Sequence, residues 1–130
     1  MEIKELLMNI EKMIYETYMK ANIKVKLRID NQFKTYHVHD ALYATEFRIA
    51  FLGDTIIVSR VNFKVKRKGI MTYCYKLLKK FAKANNFKRV IIQSVLTSEM
   101  SAWCIKNKFK PNEYCMQIDG VLVGDYVKEV

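Results

Sequence analysis

Proline is nearly absent from this chain and glycine is scarce, with one Pro and four Gly in 130 residues. Collagen-like and linker-rich designs are thereby excluded, and no Ser/Pro/Gly tract divides one half of the chain from the other. Cysteine is sparse too, three residues with no metal-binding spacing. An odd, unclustered set suits a reducing cytoplasm better than a disulfide scaffold. No apolar run approaches membrane-spanning length. The stripe of Ile3, Leu6, Leu7, Ile10, Met13, Ile14 and Tyr18 is interrupted by acidic residues, so it reads as an amphipathic helix and not as a signal peptide. Acidic residues are themselves short, 13 Asp and Glu against 23 Lys and Arg, which leaves a net charge of +10. What is present is a chain of 51% hydrophobic residues. At this length it predicts a single domain, residues 1–130, with a real core and no internal repeat.

The most informative stretch is residues 61–72, VNFKVKRKGIMT. A β-branched strand runs there into a basic, Gly-containing turn that opens a helix. The first-turn N–H groups of a helix lack intrahelical partners and sit at the positive end of its dipole, so Lys68, Gly69, Ile70, Met71 and Thr72 form a potential phosphate cradle. Beyond it Ile70, Cys74, Leu77, Leu78 and Phe81 recur at helical spacing, with Lys76, Lys79, Lys80 and Lys83 on the other side. Asn85-Asn86 supply a C-terminal cap before Phe87. Arg89 to Leu96 reads as an interior strand buried on both faces. Thr97 or Ser98 caps a second helix that runs through Asn107, with Glu99 in its first turn. Upstream, Asn22–Ile29 and Phe33–Val38 read as a hairpin turning at Asp30-Asn31-Gln32. Thr45–Leu52 and Thr55–Phe63 turn at Gly53-Asp54, and Glu113–Ile118 and Val121–Val127 turn at Asp119-Gly120.

These residues resemble the GNAT superfamily of N-acetyltransferases over about residues 45–118. The family's R/Q-x-x-G-x-G/A motif corresponds to Lys66-Arg67-Lys68-Gly69-Ile70-Met71, with Val61 and Phe63 in place of its V-x-P pair. TSEMSAWCIKNKF looks like the family's second signature, with Cys104, Lys108 and Phe109 in place of Tyr, Gly and Phe. Met71 stands where Gly or Ala is usual, Cys104 where the general-acid Tyr is usual, and Thr97 where Asn is common. The resemblance implies an α+β fold with three α/β layers: a mixed, mostly antiparallel sheet, flanking helices, and two central parallel strands splayed to receive pantetheine.

It further implies acetyl transfer from acetyl-coenzyme A to an amine by direct attack. Pantetheine would pair with the backbone at Val61 and Phe63, and the pyrophosphate would sit over Arg67, Lys68, Gly69, Ile70, Met71 and Thr72, with Thr97 opposite. Glu46, Ser59 and Cys104 are the proton-handling candidates. Cys104 reads more simply as a small buried hydrophobe, and Glu46 and Ser59 more simply still as solvated strand residues. Met71 either crowds the phosphates or turns into the core. Trp103 reads as core, and Tyr73 and Tyr75 point to different helix faces. His37 and His39 share a strand face beside Asp40, but no third ligand is spaced nearby, so no metal is expected. The positive charge points to an acidic partner such as nucleic acid, held by Lys76, Lys79, Lys80, Lys83 and Lys88 or by Lys24, Lys26, Arg28 and Lys34. Two function classes stay open: an acyltransferase, and a non-catalytic binding protein that uses its basic surface.

Overall fold

Residues 1–130 of the computed structural model begin with helix α1 (Ile3–Lys20), whose Leu6, Leu7, Ile10, Ile14 and Tyr18 are buried. Each such aliphatic side chain contributes about 1.5–3 kcal/mol when taken fully out of water. Four antiparallel strands follow: β1 (Arg28–Gln32), β2 (Thr35–His39), β3 (Glu46–Leu52) and β4 (Thr55–Asn62). Helix α2 (Ile70–Ala84) crosses over to β5 (Arg89–Val95), which pairs parallel to β4. Helix α3 (Ser98–Lys106), β6 (Lys110–Pro111), β7 (Met116–Ile118) and β8 (Val121–Glu129) complete the chain. The sheet order is β1-β2-β3-β4-β5-β8-β6, with β7 attached to β8 as a hairpin. No helix is long and apolar enough to cross a membrane.

The α+β class, the mixed and mostly antiparallel sheet and the parallel central pair match expectation; the layering differs. The Ser101 hydroxyl on α3 bonds the Tyr126 hydroxyl at 2.8 Å, and Trp103 packs edge-on against Tyr75 of α2. Lys128, two residues beyond Tyr126 on the same face of β8, lies over the same Tyr75 ring. Helix α1 packs against α2, so all three helices share one face of the sheet. The other face, with Ile57, Ile91 and Val127, is only half-buried. This explains why β5 is not buried on both faces: Val90, Ile92 and Val95 are buried while Gln93 and Ser94 are exposed.

The first hairpin is also shifted from the expected register. Asp30, Asn31 and Gln32 lie within β1, the turn falls at Phe33-Lys34, and residues 22–27 have no strand partner. Ile23, Val25 and Leu27 still pack on the core, so alternation records burial there and not pairing. The cap at the end of α2 is as the sequence implies. Asn86 takes φ 61°, and the Phe87 N–H reaches back to the Ala82 carbonyl at 2.9 Å. Asp119 and Gly120 both have positive φ, the geometry a tight two-residue hairpin requires.

Candidate active site

The parallel pairing of β4 and β5 runs from Thr55↔Arg89 to Val58↔Ile92 and stops there. Beyond it the strands part around a cleft of about 1130 Å³, walled by residues 58–63 and 92–97 and closed by residues 65–72 with Glu99, Met100 and Trp103. β4 stays paired to β3 as far as Asn62↔Glu46, so its inner edge from Ser59 onward faces the cleft without a strand partner. Of the residues picked out from sequence, the cleft gathers Ser59, Val61, Phe63, Arg67, Lys68, Gly69, Ile70, Met71, Thr72 and Thr97. It does not include Glu46 or Cys104.

The closing turn has a distinctive backbone. Arg67 and Gly69 are both left-handed, with φ of 58° and 78°. Gly69 is the N-cap of α2, and a Cβ placed on it would meet nothing within 4 Å, so the absent side chain leaves open space above the first turn. That turn has neither a side-chain cap nor an acidic residue. The amides of Ile70, Met71 and Thr72 thus retain donors at the positive end of the helix. Lys66, Arg67 and Lys68 are exposed beside them. Met71 is buried within the core cluster, so its side chain turns inward. Trp103 is more than core filling, because its Nε1–H donates to Thr72 Oγ1 at 3.1 Å and ties α3 to this turn. Across the cleft Thr97 caps α3, its Oγ1 accepting from the Met100 N–H at 3.2 Å.

Cys104 is fully buried on the inner side of α3, and burial pushes its thiol up to about 12. Its smallness and apolar character place it in the core, and of its two readings the structure supports the buried hydrophobe. Ser59 is in the cleft wall, but its hydroxyl is engaged: Oγ accepts from Arg48 Nε at 2.9 Å and donates to the Arg48 carbonyl at 3.4 Å. Glu46 sits one strand further out, nearly buried. His37 Nε2 donates to its Oε1 at 3.1 Å, and Nε of Arg60, a cleft residue, lies 3.9 Å away. Burial, then the neighbouring His39, hold His37 below the usual imidazole range. His39 bonds the Asp30 carboxylate through Nε2 and the Asp40 carbonyl through Nδ1, and Tyr43 stacks on its ring at 4.5 Å. The hydrogen bond from His39 lowers the Asp30 pKa.

Of the basic side chains, Lys76, Lys80, Lys83 and Lys88 are exposed, as are Lys24, Lys26, Arg28 and Lys34. Lys79 instead leans over the Tyr75 ring, 5.4 Å from its centroid. Three further residues shape the site without having stood out in sequence. Tyr18, read only as part of an apolar stripe, is bonded through its hydroxyl to Thr45 Oγ1 at 2.8 Å and the Lys64 amide at 2.7 Å, which anchors the exit of β4 to α1. Arg48 and Asp125 each hold a bulge at the cleft. Asp125 left one trace, a carboxylate interrupting the apolar run of β8.

No protein-family model matches the chain, and no curated protein matches it by sequence. Solved structures match by shape. The PaiA N-acetyltransferase of Thermoplasma acidophilum, in complex with coenzyme A, aligns with a TM-score of 0.53 at 13% identity, over 88% of this chain and 66% of that one. A protein of Agrobacterium tumefaciens provisionally named an acetyltransferase gives 0.57 at 8% identity, over 100% of this chain and 95% of its own. IAA acetyltransferase from Bacillus cereus gives 0.51 at 14% identity, over 74% and 77%. The chain thus spans just under two thirds of the Thermoplasma protein. Likeness at such identities is a likeness of fold: the chain has the fold of the GNAT N-acetyltransferases.

Proposed function

We propose that this chain is an acyl-coenzyme A-dependent N-acyltransferase that moves an acetyl group from acetyl-coenzyme A to an amine. The observation that carries the reading is the cleft between β4 and β5 ending on the bare first turn of α2. A pyrophosphate fits what that turn offers: unpartnered amides, open space over Gly69 and three cationic side chains. An extended pantetheine arm fits the unpartnered edge of β4 at Val61 and its continuation at Phe63, as an added strand would. Acetyl-coenzyme A supplies the thioester. The amine enters from the sheet face that no helix covers, where Arg60 stands at the cleft.

In the transfer the amine nitrogen bonds the acetyl carbon as the C–S bond breaks; one proton leaves the amine and one is gained by sulfur. Glu46 is the proposed acceptor of the amine proton, oriented by the His37 hydrogen bond and adjoining the cleft through Arg60. Ser59 and Cys104 have no proton role in this scheme. The hydroxyl of Ser59 is committed to Arg48, and Cys104 has no access to the cleft. With no tyrosine or thiol among the cleft residues, solvent protonates the leaving thiolate.

Calorimetric titration with acetyl-coenzyme A and with coenzyme A, paired with a thermal-shift series, tests the reading. Saturable heat and a rise in melting temperature are expected. Absence of both at millimolar ligand would remove it.

A further inference from the structure

The two central strands do not part for lack of partners; each is bent by a residue reaching in from the strand outside it. On β4 the pairing with β3 jumps from Ile49↔Val58 to Arg48↔Arg60, which leaves Ser59 as an extra residue. Arg48 of β3 grips that residue twice, its Nε donating to Ser59 Oγ at 2.9 Å and its carbonyl accepting from the same hydroxyl at 3.4 Å. On β5 the pairing with β8 jumps from Ile92↔Tyr126 to Val95↔Gly124, so Gln93 and Ser94 together face Asp125. Ser94 takes φ 55°, a left-handed conformation that L side chains seldom adopt. Its N–H is held by Asp125 Oδ1 at 2.8 Å. Asp125 is itself fixed, its carbonyl accepting from the Asn112 amide at 2.9 Å.

Both bulges begin at the residue after the last β4–β5 pair, Val58↔Ile92. A bulge bends its strand and increases the local twist. Two bulges at one level, each gripped from the outer side, turn the inner strands away from each other. We infer that Arg48 and Asp125 are positioning residues, a pair of latches that hold β4 and β5 apart so that the arm-binding part of the cleft is formed before ligand arrives. Neither lies among the cleft residues, so they act through Ser59 and Ser94. The inference rests on the acyltransferase reading, and it extends that reading by dividing the cleft in two. The nucleotide end depends on α2. The arm end depends on the latches.

The division supplies the test. Coenzyme A, which carries the arm, and 3′-phospho-ADP, which lacks it, are titrated by calorimetry into wild type, Asp125→Ala, Arg48→Ala and the double variant. Each single variant is expected to lose at least tenfold in coenzyme A affinity, and the double variant more, while 3′-phospho-ADP stays within twofold. Asp125→Asn keeps an oxygen acceptor in place and should restore coenzyme A binding to within threefold of wild type. Should the alanine variants fail to fold, Asp125→Glu serves in their place: it keeps the charge, misplaces the acceptor and should lose the arm contribution alone. Equal losses for the two ligands, or full affinity for both, overturn the latches while leaving the acyltransferase reading in place. Wild type that binds neither ligand overturns the acyltransferase reading and the latches with it.

Discussion

Helices α2 and α3 both begin at the edge of the same cleft, and their first turns are finished in opposite ways. α3 starts behind Thr97, whose hydroxyl accepts from the Met100 amide, and carries Glu99 in its first turn. α2 starts behind Gly69 with no cap, no acid and open space above it. Against a Gly cap an N-cap hydroxyl is worth only a few tenths of a kcal/mol, and an acidic first-turn residue about 0.3–1 kcal/mol, so α2 forgoes a modest stabilisation that α3 receives. The difference teaches where an anion belongs. On the proposed reading the capped end, where Thr97 already takes one donor, is structural, and the end left bare is the one that a phosphate completes.

The sharpest way to break this comparison is to fill the space over α2. Gly69→Val places a β-branched residue at φ 78°, a conformation that costs about 1–3 kcal/mol, and projects it into the anion's volume. Coenzyme A affinity should fall at least tenfold, measured by calorimetry; unchanged affinity would show that the bare end is not the phosphate site. Removing the cap of α3 should do the reverse. Thr97→Ala is expected to lower the unfolding free energy by about 1 kcal/mol in urea titrations and to leave coenzyme A affinity within twofold. If Thr97→Ala instead weakened coenzyme A as much as Gly69→Val, the two ends would not be functionally distinct.

Much of this contrast was legible in the sequence, because both ends are written in local chemistry. Thr97 before Ser98-Glu99 spells a capped start, and KRKGI spells an uncapped one. The hairpin at Asp119-Gly120 and the Asn85-Asn86 cap are local for the same reason. What local chemistry could not supply was contact between distant segments. Arg48 and Ser59, or Ser94 and Asp125, look like ordinary alternating strand residues until register places them opposite one another. The placement of α3 beside α2 is equally non-local, and so the half-buried face of the sheet went unforeseen. Met71 and Cys104 had two readings each because an inward or outward side chain depends on helix rotation, which packing decides.

A smaller effect bears on the rest of α2. Lys76, Lys80 and Lys83 are exposed and lie beyond the first turn, so their influence on a phosphate at the N-terminus is screened. Reversing their charge together should change coenzyme A affinity by less than twofold. The same variant reports on a nucleic-acid partner in gel shifts across a salt series. If these lysines hold duplex DNA, binding weakens and the double-logarithmic salt slope flattens by about 0.9 for each phosphate that is no longer neutralised. If wild type ignores DNA and RNA at low salt, the positive charge serves no such partner.

The smallest effect on transfer is expected where the two helices are alike. Cys74 on α2 and Cys104 on α3 are both buried, and burial pushes both thiols from 9.0 to about 12. Cys104→Ala should therefore leave the transfer rate at saturating substrates within twofold of wild type; loss of a working general acid would cost about a hundredfold or more. The shifted thiols are visible in stability instead. Between pH 9 and about 12 the unfolded chain gives up these two protons while the folded chain keeps them, so the unfolded state binds fewer protons and the unfolding free energy falls as pH rises. Below pH 9 both states are protonated and the contribution is constant. Urea midpoints followed from pH 8 to pH 10.5 should decline over the upper part of that range in wild type, and less steeply in Cys104→Ala. A large loss of transfer in Cys104→Ala with no change in this pH slope would return the thiol to the active site and make α3 part of the reacting end of the cleft.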